Sequence, residues 1–278
     1  MSAGEFIRNL SLVVAAMAVI SAIEIAVPLF PRGTPTQGRR LANFGLMAMT
    51  FLINWGSTSA AVVLTFFPGP GVLERLGLPF VWQIVVSAVV IDFFFGYLAH
   101  VTMHHIPVLW RAHAVHHSDP FVDVTTTYRT HPIESVWRSL FMLVPVWVLG
   151  TPPAALVIYR LLSAINALFE HANVRVRPAL DRTLSLVWVT PNMHKIHHSR
   201  ERRETNSNYG NLFALYDRLF RTFTPTIRAS SVVYGLDGTD PAAVRSFPGL
   251  LAMRVAERDD ARDARARRKA PPATIAES

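Results

Sequence analysis

The chain has no cysteine at all. That excludes disulfides, thiolate nucleophiles, iron–sulfur clusters and cysteine-ligated zinc. Charge is scarce: only 17% of the 278 residues are Asp, Glu, Lys or Arg, while 51% are hydrophobic. An ordinary soluble domain carries more charge and less apolar surface, so the composition fits a membrane protein. The formal net charge is +8. A nucleic-acid binder interleaves basic residues with aromatics on a polar surface. Here the basic residues cluster at the ends of apolar runs and in the tail, the pattern of a cytoplasm-facing membrane bias, and no nucleic-acid partner is expected. Histidine is missing from most of the chain too, and all eleven histidines fall between His100 and His198.

Within that stretch the histidines form clusters. His100-x3-His104 is followed by His113-x2-His116-His117, then by His131 and His171 singly, then by His194-x2-His197-His198. Spacings of three and four place side chains on one helix face, so each cluster can aim several imidazoles at one point. Imidazole suits iron, zinc, copper and nickel. With His105 set aside, ten histidines remain, enough for two metal ions with five each. An incidental metal-binding tract is the competing reading, but two matching triplets far apart in sequence favour a specific centre.

The apolar runs organise the rest. Phe6 to Phe30 is long enough to span a bilayer. A signal peptide is the alternative, yet only Arg8 stands in the leading region, and an uncleaved span is the better reading. Leu41 to Phe67 is the second span, ended by Pro68-Gly69-Pro70-Gly71. Phe80 to about Tyr97 is the third, running into the first histidine pair and carrying Asp92. A short helix is expected over Trp110 to His117. His131 precedes Pro132, which predicts an N-cap with Pro132 at the first helical position. Ile133 to Leu149 and Ala154 to Phe169 read as a helical hairpin around Gly150-Thr151-Pro152-Pro153. His194 to His198 belongs on another short helix, and Leu212 to Phe223 reads as amphipathic helix. The charged stretch after Arg254 reads as a disordered tail. Residues 1–79 are thus the N-terminal transmembrane helices, 80–224 the histidine-bearing region and 225–278 a polar, partly disordered tail. The fold expected is all-α, a polytopic membrane protein with four to five membrane helices and a cytoplasmic histidine-rich helical cap.

Arginine placement gives the orientation. Arg32, Arg39 and Arg40 fall in the 31–40 loop, whereas the 68–79 loop holds Arg75 offset by Glu74. The positive-inside rule puts the 31–40 loop and every histidine cluster in the cytoplasm.

The segment from His100-Val101-Thr102-Met103-His104 to His113-Ala114-Val115-His116-His117-Ser118, with Asp92 ahead of it, resembles the fatty acid hydroxylase, or sterol desaturase, superfamily. Arg129-Thr130-His131-Pro132-Ile133-Glu134 is similar to its next motif. Asn166 with Glu170-His171-Ala172-Asn173, and Pro191-Asn192-Met193-His194-Lys195-Ile196-His197-His198, resemble its second half. Asn208-Tyr209-Gly210-Asn211 through Asp217-Arg218 resembles its C-terminal signature. The resemblance covers roughly 80–224. It implies a membrane di-iron oxygenase that uses O2 and two electrons from a separate reductase to hydroxylate or desaturate lipid C–H bonds. It also implies His100, His104, His113, His116, His117, His131, His171, His194, His197 and His198 as ligands of two iron ions.

Ligating imidazoles usually donate their other N–H to a carboxylate or carbonyl. Asp92, Glu134, Asn166, Glu170, Asn173 and Asp217 are the expected partners, with Asp119 a further one. Lys195 and Arg111 read as interfacial or headgroup contacts. A lipid reaches such a site through the bilayer, so its route is expected between the third span and the hairpin, lined by Phe94, Phe141, Trp147 and Phe169 together with Phe93 and Phe95. Sterol, carotenoid, fatty acyl chain and amino-lipid all remain open as substrate. A membrane zinc hydrolase is the first rival, but it needs a carboxylate base within a His-Glu-x2-His run, and Ala114, Val115, Lys195 and Ile196 stand there instead. A histidine-rich metal transporter is the second, but transport sites lie near the bilayer midplane.

Overall fold

The computed structural model describes residues 3–31, 38–67 and 71–253. The tail from Arg254 onward, Arg32 and the Pro68-Gly69-Pro70 break lie outside them. Among the described residues the protein is all helix and loop, with no strands and only two isolated bridges, Pro28 to Val174 and Trp188 to Phe213. Five helices are long and apolar enough to cross a membrane: Gly4–Ala26, Arg39–Leu64, Phe80–His105, Pro132–Leu149 and Pro153–His171. Several start or stop where the sequence forces it. Pro132 and Pro153 sit at first helical positions, where a missing N–H costs nothing. Gly150 ends the fourth helix in the left-handed conformation at φ 64°. Leu41, Leu52, Val63, Val81, Val136 and Val144 are exposed along the helices, the apolar belt that lipid would cover.

The third membrane helix is longer than the hydropathy run suggests, because it carries on past Tyr97 to His105. Asp92–Leu98 winds as a π-helix. Such a wide turn adds residues to the ladder and rephases the helix beyond it, so it sets the face on which His100 and His104 emerge. The Asp92 carboxylate sits at its start, accepting hydrogen bonds from Tyr159 Oη and Phe213 N, both at 3.1 Å.

The two ends of the bundle differ. At one, Arg39 of the second helix pairs with Asp119 at 2.8 Å and with Asp123. Leu29 N donates there to Asn173 O, and all the histidine-bearing termini gather at the same end. At the other, Gly150 lies against Gly71. Arg39 and Gly71, at the two ends of the second helix, therefore lie at opposite ends of the bundle. One sequence expectation is corrected. The helix expected over Leu212 to Phe223 is confined to Leu215–Leu219, because the Asp217 carboxylate is committed to the backbone N–H groups of Tyr209 and Gly210. Ahead of Arg254, Val244, Phe247 and Leu250 pack on Ala42 and Leu46 of the second helix.

Candidate metal centre

Short helices at one end of the bundle carry the histidines. Pro107–His117 comes after the third membrane helix and a single extended residue, Ile106, and Pro191–His197 starts at a Thr190 cap. His113 and His117 are four apart and share a face, while His116 projects beside them. His194, His198 and His197 repeat the pattern. Each triplet is therefore divided between two groups. His100, His104, His113, His117 and His197 form one, and His116, His171, His194 and His198 the other, each with its ligand atoms within 4.8 Å of one another. The groups adjoin: the rings of His117 and His198 stack with centroids 4.7 Å apart.

The donor atoms face inward. Nε2 of His113 lies 3.0 Å from Nε2 of His100 and 3.2 Å from that of His117. In the second group Nε2 of His171 is 3.0 Å from both His116 and His194 and 3.3 Å from His198. Several of the outer nitrogens are fixed by acceptors. His100 Nδ1 donates to Tyr209 O at 2.8 Å, His197 Nδ1 to Ser207 O at 2.7 Å and His171 Nδ1 to Ala167 O at 2.7 Å. His113 Nδ1 donates to Glu134 Oε2 at 2.8 Å. A neutral ring that donates from Nδ1 holds a lone pair on Nε2. Buried lone pairs turned toward one another at about 3 Å repel unless a cation lies among them, and Nε2 of His197 has no hydrogen-bond partner. Burial and repulsion among the rings hold His116, His117, His194, His197 and His198 well below the ordinary imidazole value. They are the neutral form that binds metal. The residues thus fit two adjacent metal ions with nitrogen donors.

The sequence-expected site residues divide. Nine of the ten histidines come together, five and four rather than five and five. His131 joins neither group among the described residues. Its Nδ1 accepts from Ile133 N at 3.2 Å and caps the fourth membrane helix, so the residue before Pro132 serves the backbone. His105 is exposed, its Nδ1 turned to Val101 O. Glu134 touches a clustered histidine directly and is held from its other side by Arg138 at 3.1 Å. Glu170 is buried beside the four-histidine group, 3.9 Å from His194 Nε2, and its Oε2 has no hydrogen-bond partner.

The others act at a remove. Asp92 and Asp217 hold the 209–213 turn, and Asn166 takes a hydrogen bond from Trp188 Nε1 while donating to Asn211 O. Asn173 exchanges hydrogen bonds with the Phe30 backbone, and Asp119 pairs with Arg39. Lys195 is wholly buried rather than interfacial, with Nζ on Ala172 O. Sequence reading does not single out the carbonyls of Ser207 and Tyr209, although the turn-rich 206–211 segment is the signal for a loop placed with purpose.

A cavity of about 190 Å³, lined by residues of all five membrane helices, runs from His100, His116, His171 and His194 to Phe6 and Trp55. Phe95 lines it, but Phe94, Phe141, Trp147 and Phe169 do not. Of the side chains expected along the lipid's route, only Phe95 lines this cavity. The Trp137–Phe141 ring pair is packing on the far face of the fourth helix, and Trp147 is 40% exposed.

The chain is similar to the ornithine lipid hydroxylase OlsE of Rhizobium tropici, 30% identical over 80% of this chain and 70% of that protein. It is also similar to the alkylglycerol monooxygenases of Caenorhabditis elegans and Homo sapiens. Each is 28% identical over 51% of this chain, a match that spans 27% and 31% of those longer proteins. No solved structure matches. The fatty acid hydroxylase model matches residues 84–222, the interval that holds every clustered histidine and the turn that anchors them, and the chain is an integral membrane member of the fatty acid hydroxylase family.

Proposed function

We propose that the protein is an O2-dependent di-iron hydroxylase of a lipid, working on the cytoplasmic face of the membrane with electrons from a separate donor protein. The observation that carries this reading is the meeting of two histidine groups with an apolar cavity that opens between membrane helices. All-nitrogen donor sets suit iron, and two ions side by side suit an O2 reaction needing two electrons. When bound, the ions supply the oxidant that no side chain can provide. One oxygen atom enters a C–H bond, and the other leaves as water with two electrons and two protons from the donor.

The chain's own residues do the rest. The Nε2 atoms of His100, His104, His113, His117 and His197 hold one ion, and those of His116, His171, His194 and His198 hold the other. Glu134 and the carbonyls of Ser207, Tyr209 and Ala167 fix ring orientation. Glu170 offsets the positive charge beside the four-histidine group. The cavity excludes water and presents the lipid. The names of the relatives, a hydroxylase and monooxygenases, favour hydroxylation over desaturation. The test is metal analysis of the purified protein, followed by incubation with O2, a chemical reductant and total membrane lipid. About two irons per chain and a lipid that gains one oxygen atom are expected. Zinc in place of iron, or a lipid that loses two hydrogens, would refute the assignment.

A further inference from the structure

One cation in the cavity wall stands apart from the others. Arg160 is in the fifth membrane helix and lines the cavity. Among the described residues it makes no ion pair and no hydrogen bond, and its partner is the Phe95 ring, whose centre lies 4.6 Å from Cζ. A guanidinium in a membrane helix is costly and ordinarily faces a partner. Three buried hydroxyls line the same cavity without a hydrogen-bond partner: Thr50, Tyr128 and Ser135, which are 6%, 6% and 4% exposed. Tyr128 lines the same cavity as Arg160, and burial pushes its hydroxyl above the usual phenol range, which keeps it a donor. The neighbouring arginine, Arg138, is already engaged by Glu134. An unpaired cation with three unused hydroxyls matches an oxyanion.

We propose that Arg160, with Tyr128, Thr50 and Ser135, binds the anionic group of the lipid substrate, a carboxylate or a phosphate. This rests on the hydroxylase reading of the same site and adds the substrate's chemical class.

The test uses the metal-loaded protein in a non-ionic detergent, with laurate, dodecyl phosphate and dodecanol as probes and calorimetry as the readout. The wild type is expected to bind at least one anion about ten-fold or more tightly than dodecanol. Arg160→Gln should abolish that preference while leaving dodecanol affinity and metal content in place. Preference for laurate assigns a carboxylate, and preference for dodecyl phosphate a phosphate. Equal affinity for the anions and the alcohol in the wild type, or a preference that survives in R160Q, overturns the proposal. Should R160Q not fold, Tyr128→Phe serves in its place and should weaken anion binding several-fold, and an unchanged preference counts against the site. The two readings fail separately. An Arg160-dependent preference without lipid oxidation leaves the anion site standing and removes the hydroxylase. Lipid oxidation that is indifferent to R160Q does the reverse.

Discussion

Glu134 is the side chain on which the five-histidine group most depends, since its carboxylate is shared between His113 Nδ1 and Arg138. Removing a partner of this kind typically weakens metal binding about 10- to 100-fold. Glu134→Ala should therefore lower the metal content from two ions toward one by elemental analysis, and His113→Ala or His197→Ala should remove metal and activity together. His131 and His105 make the contrast. His131→Ala should keep both ions and lower helix stability by about 1 kcal/mol, the usual worth of a cap, and His105→Ala should keep both ions as well. An ion lost from H131A would return that residue to the ligand set. The clustered histidines were legible because spacing on one helix is local information. His131 stays ambiguous in the sequence because a histidine before proline looks the same whether it caps or ligates. The Tyr209 and Ser207 carbonyls were invisible because any residue supplies one.

At the level of elements, the start of the turn after the second triplet is held by the Asp217 carboxylate. Asp217 accepts from Tyr209 N and Gly210 N at 2.8 Å each and from Thr222 Oγ1 at 2.7 Å, and Tyr209 O in turn orients His100. Asp217→Asn offers one acceptor where two oxygens served and brings an amide against backbone donors. We expect it to cost about 2 kcal/mol of stability and to release metal at lower chelator concentrations than the wild type. A melting temperature and a chelation curve both unchanged would mean that the turn is held by other contacts. Gly210 admits no substitute, since a Cβ there would lie 2.7 Å from Phe213 O and 3.0 Å from Asp217 Oδ2. The membrane helices were readable because bilayer thickness sets their length. The π-helix at Asp92–Leu98 was not, since the partners of Asp92 at its start, Tyr159 and Phe213, lie far off in sequence. The same long-range bonding of Asp217 cut short the helix that periodicity expected.

For the whole molecule, the histidine cap and the start of the second helix share one end and Gly71 and Gly150 the other. A tag at the C-terminus should accordingly be reached only from the cytoplasmic side, and one between Pro70 and Leu76 only from the opposite side. Labelling of both from one side would overturn the orientation. The route of the lipid is decided at the same scale. The cavity is walled in part by the first and second helices, which residues 84–222 do not include, so on the proposed function a part of the chain outside the family match would shape substrate access. Leu10 of the first helix lines this cavity, whereas Phe141 and Trp147 do not. Leu10→Trp should fill the passage, retain two ions and cut lipid turnover about ten-fold or more, the effect of about 1.4 kcal/mol or more. Phe141→Ala and Trp147→Ala should leave product and rate alone. The reverse result, with L10W silent and F141A changing which carbon is oxidised, would place the route between the third helix and the hairpin. The packing of the first helix on Tyr128 and Leu168 would then be structural only.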